Sequence, residues 1–229
     1  MDSGADIFAI EKCARFVSMI PTLSDLKMFE SMPDMYATCQ EFLDLGGGDF
    51  EEHAILLANF FQYIDDKQSP GKYRSYLVYG YAMPEGRNVF VMRTRVDPAA
   101  KRDLELWSPI TGECFFFCEN TPNSQFCGIK LTKRSTMTVR LNDPVCPLKH
   151  IYCIVSSDNI YANIQTYDFP VLMDYDLTNK KKWKPLFVSE AHVRKYYPKG
   201  IQETSVQPHS LMFQPPMTLN QVQILTQRV

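Results

Sequence analysis

Seven cysteines and four histidines are the side chains of this 229-residue chain best suited to metal or nucleophile chemistry. Cys114 and Cys118 are separated by three residues, with Cys127, Cys146, His150 and Cys153 downstream. That set has the soft donors zinc prefers, but a structural zinc site wraps its ion with close cysteine pairs, usually repeated. No second close pair follows, and Cys114 and Cys118 flank Phe115-Phe116-Phe117, a run that reads as a buried strand. The expectation is apolar, reduced thiols with no metal and no cofactor. A second feature is Gly46-Gly47-Gly48 immediately before a helix, the setting in which free amides and the helix dipole bind phosphate. Asp49, Glu51 and Glu52 crowd the same turn and would repel an anion, and no Gly-Lys-Ser/Thr follows. The better reading is a flexible turn into a capped helix. The third is Lys180-Lys181-Lys182-Trp183-Lys184, four cations around a tryptophan. These residues are candidates for gripping an acidic partner, set against a solvated turn whose tryptophan packs inward.

The elements that would position these groups can be read from hydrophobic period. Ile7, Phe8, Ile10, Phe16, Val17 and Ile20 form a rough helical stripe ending at Pro21, and residues 23–45 hold one or two short helices broken near Pro33. The clearest segment follows Asp49, which with Glu52 fits a capping box. His53, Leu56, Leu57, Phe60, Phe61 and Ile64 then recur at helical spacing, predicting a buried central helix. Strands are predicted over Tyr76–Tyr81, Val89–Arg93, Leu104–Trp107, Cys114–Phe117 and Thr136–Val139, with an inserted loop over 119–132. After Ile164 the pattern weakens, and Pro208, Pro215 and Pro216 break up an extended tail. Helices first and strands afterwards indicate an α+β fold with a mostly antiparallel sheet. The expected division is a domain over 1–178 and a C-terminal arm over 179–229, packing on the domain or on a neighbour.

Composition bounds the function classes. Hydrophobic residues at 45% and charged residues at 22% fit a folded protein rather than a disordered one. With 24 basic and 26 acidic residues the net charge is -2, which argues against a general polyanion binder and against nucleic acid as partner. No run approaches the roughly 18 apolar residues that span a bilayer, and the acidic start Met1–Asp6 lacks the pattern of a secretory signal. Aromatic residues at 13% are plentiful, which suits partner surfaces.

A helix that opens after a glycine loop and precedes strands is also the layout of papain-like and transglutaminase-like folds. In these a cysteine at the helix start is paired with a histidine and an acid on the next two strands. This chain offers Phe50 at the helix start, Asn88 on the next strand and Ser108 after the one beyond. From about Ala14 to Gln214 it resembles the C-terminal region of the coiled-coil and C2-domain-containing proteins of the ciliary transition zone, a degenerate transglutaminase-like domain. The resemblance rests on Ala14–Pro21, Gly48–Asn59, Pro84-Glu85-Gly86, Trp107-Ser108-Pro109, Cys146–Lys149, Asp158-Asn159-Ile160, Asn163-Ile164-Gln165 and Ser205–Pro208. The family also keeps a Trp-Lys pair at Trp183-Lys184, and a related centriolar protein is similar over the central helix.

The resemblance implies loss of catalysis. Phenylalanine has no nucleophile, asparagine takes no proton at neutral pH, and serine cannot support an imidazolium as a carboxylate does. His53 lies one turn after Phe50 without a nucleophile beside it, and its place in the apolar stripe suggests a packed core histidine. Family members carry coiled coils and a membrane-binding-type C2 module ahead of this domain. The present sequence starts almost where the domain starts, so it is either a piece of a longer chain or a short stand-alone paralogue. The resemblance implies a non-catalytic scaffold of a ciliary or flagellar assembly, at the transition zone or axoneme. Its expected partners are other ciliary proteins, with tubulin a candidate, and it does not insert into a membrane. Two alternatives stand beside this: a binding module holding a tubulin or partner tail in the former substrate cleft, and a residual hydrolase using another thiol such as Cys114.

Overall fold

The predicted central helix forms over Phe50–Gln68, here α3, and local chemistry sets where it starts. The Asp49 carboxylate accepts the Glu51 amide at 2.9 Å, and the Glu52 carboxylate reaches back to the Asp49 amide at 3.1 Å. Amides that a first turn leaves without helical partners are thereby satisfied. The computed structural model describes residues 4–24, 36–96, 103–119, 128–129, 137–140 and 145–199. Before the central helix come α1 (Gly4–Ser18) and α2 (Cys39–Leu45); Pro33, the predicted break, lies outside the described residues. Helix α2 starts on its own Thr38–Glu41 capping box and stops at Gly46, whose φ of 68° is the left-handed conformation glycine adopts without strain. The Gly48 amide donates to the Pro21 carbonyl at 3.3 Å, and the Leu23 amide donates to the Gly48 carbonyl at 2.7 Å. The glycine run is therefore a helix cap tied to the loop after α1. The amides of Gly46 and Gly48 are committed within the fold instead of being offered to an anion.

Nine described strands form one sheet: β1 (Tyr73–Ala82), β2 (Gly86–Arg95), β3 (Asp103–Trp107), β4 (Cys114–Glu119), β5 (Gly128–Ile129), β6 (Met137–Arg140), β7 (Leu148–Val155), β8 (Ile160–Asn163) and β9 (Trp183–Pro185). The order is β5-β6-β4-β3-β2-β1-β7-β8-β9, and every pairing is antiparallel. This is the expected α+β architecture, a central helix laid on a mostly antiparallel sheet. The loop expected over 119–132 is interrupted by β5, whose two residues pair with β6; residues 120–127 and 130–132 lie outside the described residues. A compact unit runs from Met1 to Pro198, so the first part of the segment assigned to the arm lies within it. That part contains β9 and a short helix, α4 (Glu190–Tyr196); residues 200–229 lie outside the described residues.

The sheet has a core on each face. Ala54, Leu57 and Phe61 of α3 and Ala14 and Val17 of α1 pack on Val89, Val91 and Trp107. Phe90, Met92, Leu104 and Leu106 point the other way, toward Phe117, Ile151, Ile154, Met173 and Trp183. Strand β2 thus reads as a continuous apolar run because both of its faces are covered. A buried ion pair holds helix to sheet. Arg93 of β2 meets Asp65 of α3 through two bonds, Nη2–Oδ1 at 2.6 Å and Nε–Oδ2 at 2.9 Å. The third guanidinium nitrogen lies 3.2 Å from Glu105 of β3, whose carboxylate also accepts the Trp107 indole N–H at 3.0 Å. The Tyr73 ring stacks 3.8 Å from the guanidinium carbon.

Two predictions follow from this core. Removing Asp65 leaves the buried Arg93 with Glu105 as its one remaining carboxylate, so Asp65→Ala should cost about 3 kcal/mol in urea unfolding, and the Asp65→Leu/Arg93→Leu double variant should recover most of it. Gly80 sits where β1 changes register against β7, and a Cβ there would lie 2.1 Å from the His150 carbonyl oxygen. The backbone has to move to admit it, so Gly80→Ala should lower stability by about 1–3 kcal/mol in the same measurement.

Candidate functional site

The start of α3 is where the family layout places its chemistry, so the side chains there decide what the domain can do. Phe50 is the first helical residue and is half-buried. His53, one turn on, is fully buried. Its Nδ1 lies 2.5 Å from the Asp49 carbonyl oxygen and its Nε2 3.0 Å from that of Ile20, with the Phe42 ring edge-on at 4.8 Å. Both neighbours are acceptors, and a neutral imidazole has one N–H to donate. Neither nitrogen is therefore turned toward an incoming substrate. The ring joins the end of α1 to the first turn of α3, the packed role its place in the apolar stripe suggests.

Glu52 is also buried, and beyond its cap contact it accepts the Ala37 amide at 3.1 Å, which ties the segment before α2 to the helix. Burial pushes its carboxyl up to about 7, with Asp49 adding to the shift. Burial raises Asp49 as well. On the helix-facing side of the sheet, burial pushes up the Tyr79 phenol, with Tyr36 hydrogen-bonded to it and Glu51 nearby. Cys153 lies opposite Tyr79 on β7.

Asn88 and Ser108 each have a local partner. Side chains alternate along a strand, so Asn88 shares the face of Phe90 and Met92, whereas Val89 and Val91 face α3. Its Oδ1 accepts the Val89 amide at 2.7 Å. Ser108 follows Trp107 at the end of β3; its hydroxyl accepts the Thr111 amide at 3.2 Å and its carbonyl the Gly112 amide at 2.9 Å. Ser108 is thus the first residue of the tight turn into β4. The two polar groups make local hydrogen bonds, one within a strand and one within a turn.

Three of the thiols are disfavoured as nucleophiles. The thiolate is the reactive form; burial pushes up the Cys13 and Cys153 thiols and pushes Cys146 up to about 12. Among the described residues, no three His, Cys, Asp or Glu side chains gather closely enough to hold a metal ion. Cys127 lies outside the described residues.

At the sheet's far edge, Trp183 is fully buried and its indole N–H donates to the Asp174 carbonyl at 2.8 Å. The ring is part of the core and is not a surface contact. Lys180, Lys181 and Lys184 are exposed and Lys182 is half-buried, on a turn held by Asn179: its carbonyl accepts the Lys182 and Trp183 amides and its side chain the Lys181 amide. One hollow was not foreseen from the sequence. It has a volume of about 300 Å³ and is lined by Gln62, Arg74, Ser75, Tyr76, Ser156, Ser157 and Asp158. Its residues come from a helix, a strand and a turn far apart in sequence, and no local motif announces it.

Comparison with known proteins places this geometry in context. A family model described as the CEP76 peptidase-like domain matches residues 34–186. The human protein CC2D2B is 29% identical over 203 residues, which is 87% of this chain and 11% of that protein. Coiled-coil and C2 domain-containing protein 2A of Drosophila melanogaster is 26% identical over 178 residues, 78% of this chain and again 11% of the relative. The chain thus spans about a ninth of the length of the curated relatives it matches. Among solved structures, calcium-bound Legionella pneumophila LapG aligns with a TM-score of 0.44 and 11% identity over 72% of this chain and 73% of LapG. That likeness is too distant to carry weight.

The raised Glu52 carboxyl makes stability depend on pH in a definite direction. A group whose folded value lies above its unfolded one favours folding in its protonated form. Its contribution is full below the ordinary carboxyl value of 4.5 and is lost as pH rises through about 7. The thermal midpoint should therefore fall between pH 5 and pH 8. Glu52→Gln should flatten that part of the profile, as read by circular dichroism melts.

Proposed function

This chain belongs to the CEP76 peptidase-like domain family, and from that premise we propose that it is a non-catalytic structural module that acts by protein–protein contact within a ciliary or flagellar assembly. One observation carries the reading. At the helix start, where a peptidase of this layout needs a thiol and a free base, the chain has Phe50 and a His53 whose nitrogens both face backbone carbonyls. The polar groups of the first turn are used to join α1, α2 and α3. The ciliary assignment rests on the resemblance to the coiled-coil and C2-domain-containing proteins; the transition zone and the axoneme are both compatible with it. Ciliary proteins are the proposed partners, tubulin among them.

A peptide-holding version of the old cleft is less well supported. The groups that gather at the helix start, Tyr36, Glu51, Tyr79 and Cys153, are acidic or neutral, so an acidic tail finds no charge complement there. A residual thiol hydrolase has the raised Cys13, Cys146 and Cys153 thiols against it.

The purified chain should therefore neither cleave casein-type or peptide substrates above a buffer control nor react stoichiometrically with a thiol-directed activity probe at neutral pH. Expressed with a fluorescent tag in ciliated cells, it should collect at the cilium or its base, and the Phe50→Ala variant should collect there equally. Turnover abolished by a single cysteine substitution would overturn the non-catalytic reading, and diffuse cytoplasmic signal the ciliary one.

A further inference from the structure

Charge is unevenly shared along this nearly neutral chain. Residues 180–198 hold six lysines and arginines against one acid, Glu190, while the rest of the chain has 18 basic residues against 25 acidic. The structure turns this stretch into a surface. The lysine turn leads into β9, the last strand of the sheet, and α4 follows it. Asn159 clamps the connection from both sides, donating to the Phe187 carbonyl at 2.9 Å and accepting its amide at 3.0 Å. Buried Trp183 anchors the turn from below. The cations are thus displayed on a fixed edge. Among the described residues, none of Lys180, Lys181, Lys182, Lys184 or Lys195 enters an ion pair, and Arg194 meets only Glu190 of its own helix at 3.6 Å.

Helix α4 is lightly held, with the His192 ring edge-on to Phe187 at 6.2 Å. It buries none of its seven residues, and a helix so short is marginal on its own in water. Exposed Leu186, Val188, Tyr196 and Tyr197 lie around it. We propose that this basic, aromatic edge, formed by the lysine turn, β9 and α4, docks an extended acidic segment of a partner polypeptide. The proposal rests on the reading that the domain works by contact rather than by catalysis, and it names where that contact is made and its chemistry.

Shape and charge favour a polypeptide over a membrane. The cations follow one narrow edge, and the carboxylates of Asp158, Asp174 and Asp176 belong to the turns beside it. An anionic bilayer is a plane and has to meet those flanks as well. A single acidic strand of chain meets only the strip. Pro185 and the edge lysines also discourage strand-on-strand pairing, so side chains rather than a backbone ladder make the contact. Screening over ~8 Å in physiological salt confines the attraction to the docked state.

The test uses the whole chain and a fluorescein-labelled oligoglutamate peptide long enough to span β9 and α4, read by fluorescence anisotropy at low and physiological ionic strength. The chain should bind, and more weakly as salt rises. The Lys180→Glu/Lys181→Glu/Lys184→Glu variant and the Arg194→Glu/Lys195→Glu variant should each lose about tenfold or more in affinity, with melts unchanged. A control reversal on α1 and α3, Lys12→Glu/Lys67→Glu, should bind like the unmodified chain. The proposal is overturned if oligoglutamate does not bind or if the strip variants bind equally. It is also overturned if the control weakens as much, if phosphatidylserine vesicles bind in preference to the peptide, or if the strip proves to join two copies by sedimentation. Peptidase activity in the chain would defeat the non-catalytic reading without altering this binding result, and the converse also holds.

Discussion

A guanidinium buried between a helix and a sheet is the constraint on which this domain depends. Arg93 cannot be left alone in the interior, because an unpaired buried charge is far costlier than a paired one. Asp65 answers it from the central helix and Glu105 from the next strand, while Tyr73 covers its face. Satisfying one charge thus fixes how far along β2 the end of α3 must lie. At the other end, Glu52 and His53 gather backbone groups from Ala37, Asp49 and Ile20. The helix is pinned at both ends by polar contacts, with an apolar stripe between them.

These pins also decide what the side chains at the start of the helix are used for. A catalytic histidine needs one nitrogen oriented by a partner and the other free for the substrate. In His53 both nitrogens point at backbone carbonyls. A nucleophilic thiol needs an environment that favours the thiolate, and burial works in the other direction at Cys13, Cys146 and Cys153. The first turn of the helix still concentrates polar groups, but they now connect three helices.

Interior and surface divide sharply at the last strand of the sheet. Trp183 illustrates the division. The ring completes one core while the lysines beside it remain in solvent, so a core residue positions a charged edge. The acidic majority of the chain and the basic stretch over 180–198 nearly cancel in the net charge, which is why total composition hides the asymmetry.

The amino-acid sequence by itself determined what depends on near neighbours. The span of α3 could be read because the Asp49–Glu52 box and the apolar stripe from His53 to Ile64 lie within a few turns of one another. Strands β1 to β4 were legible from apolar runs bounded by turns. Strand β7 was not legible: register shifts against β1 place Leu148, Ile151 and Ile154 in one core although they are three apart, which breaks the period of two. Strand β9 is only three residues long and contains lysine and proline, so nothing local marks it. Sequence order assigned Asn88 and Ser108 to a strand and a strand end but not to a face. Tertiary structure alone decided that Asn88 shares the face of Phe90 and Met92, that Asp65 meets Arg93 28 positions on, and that His53 is held by Ile20, 33 positions before it. The physical reason is the range of the forces involved. Capping and periodicity act within a turn or a strand, whereas face, register and buried charge pairing are set only when distant segments are brought together.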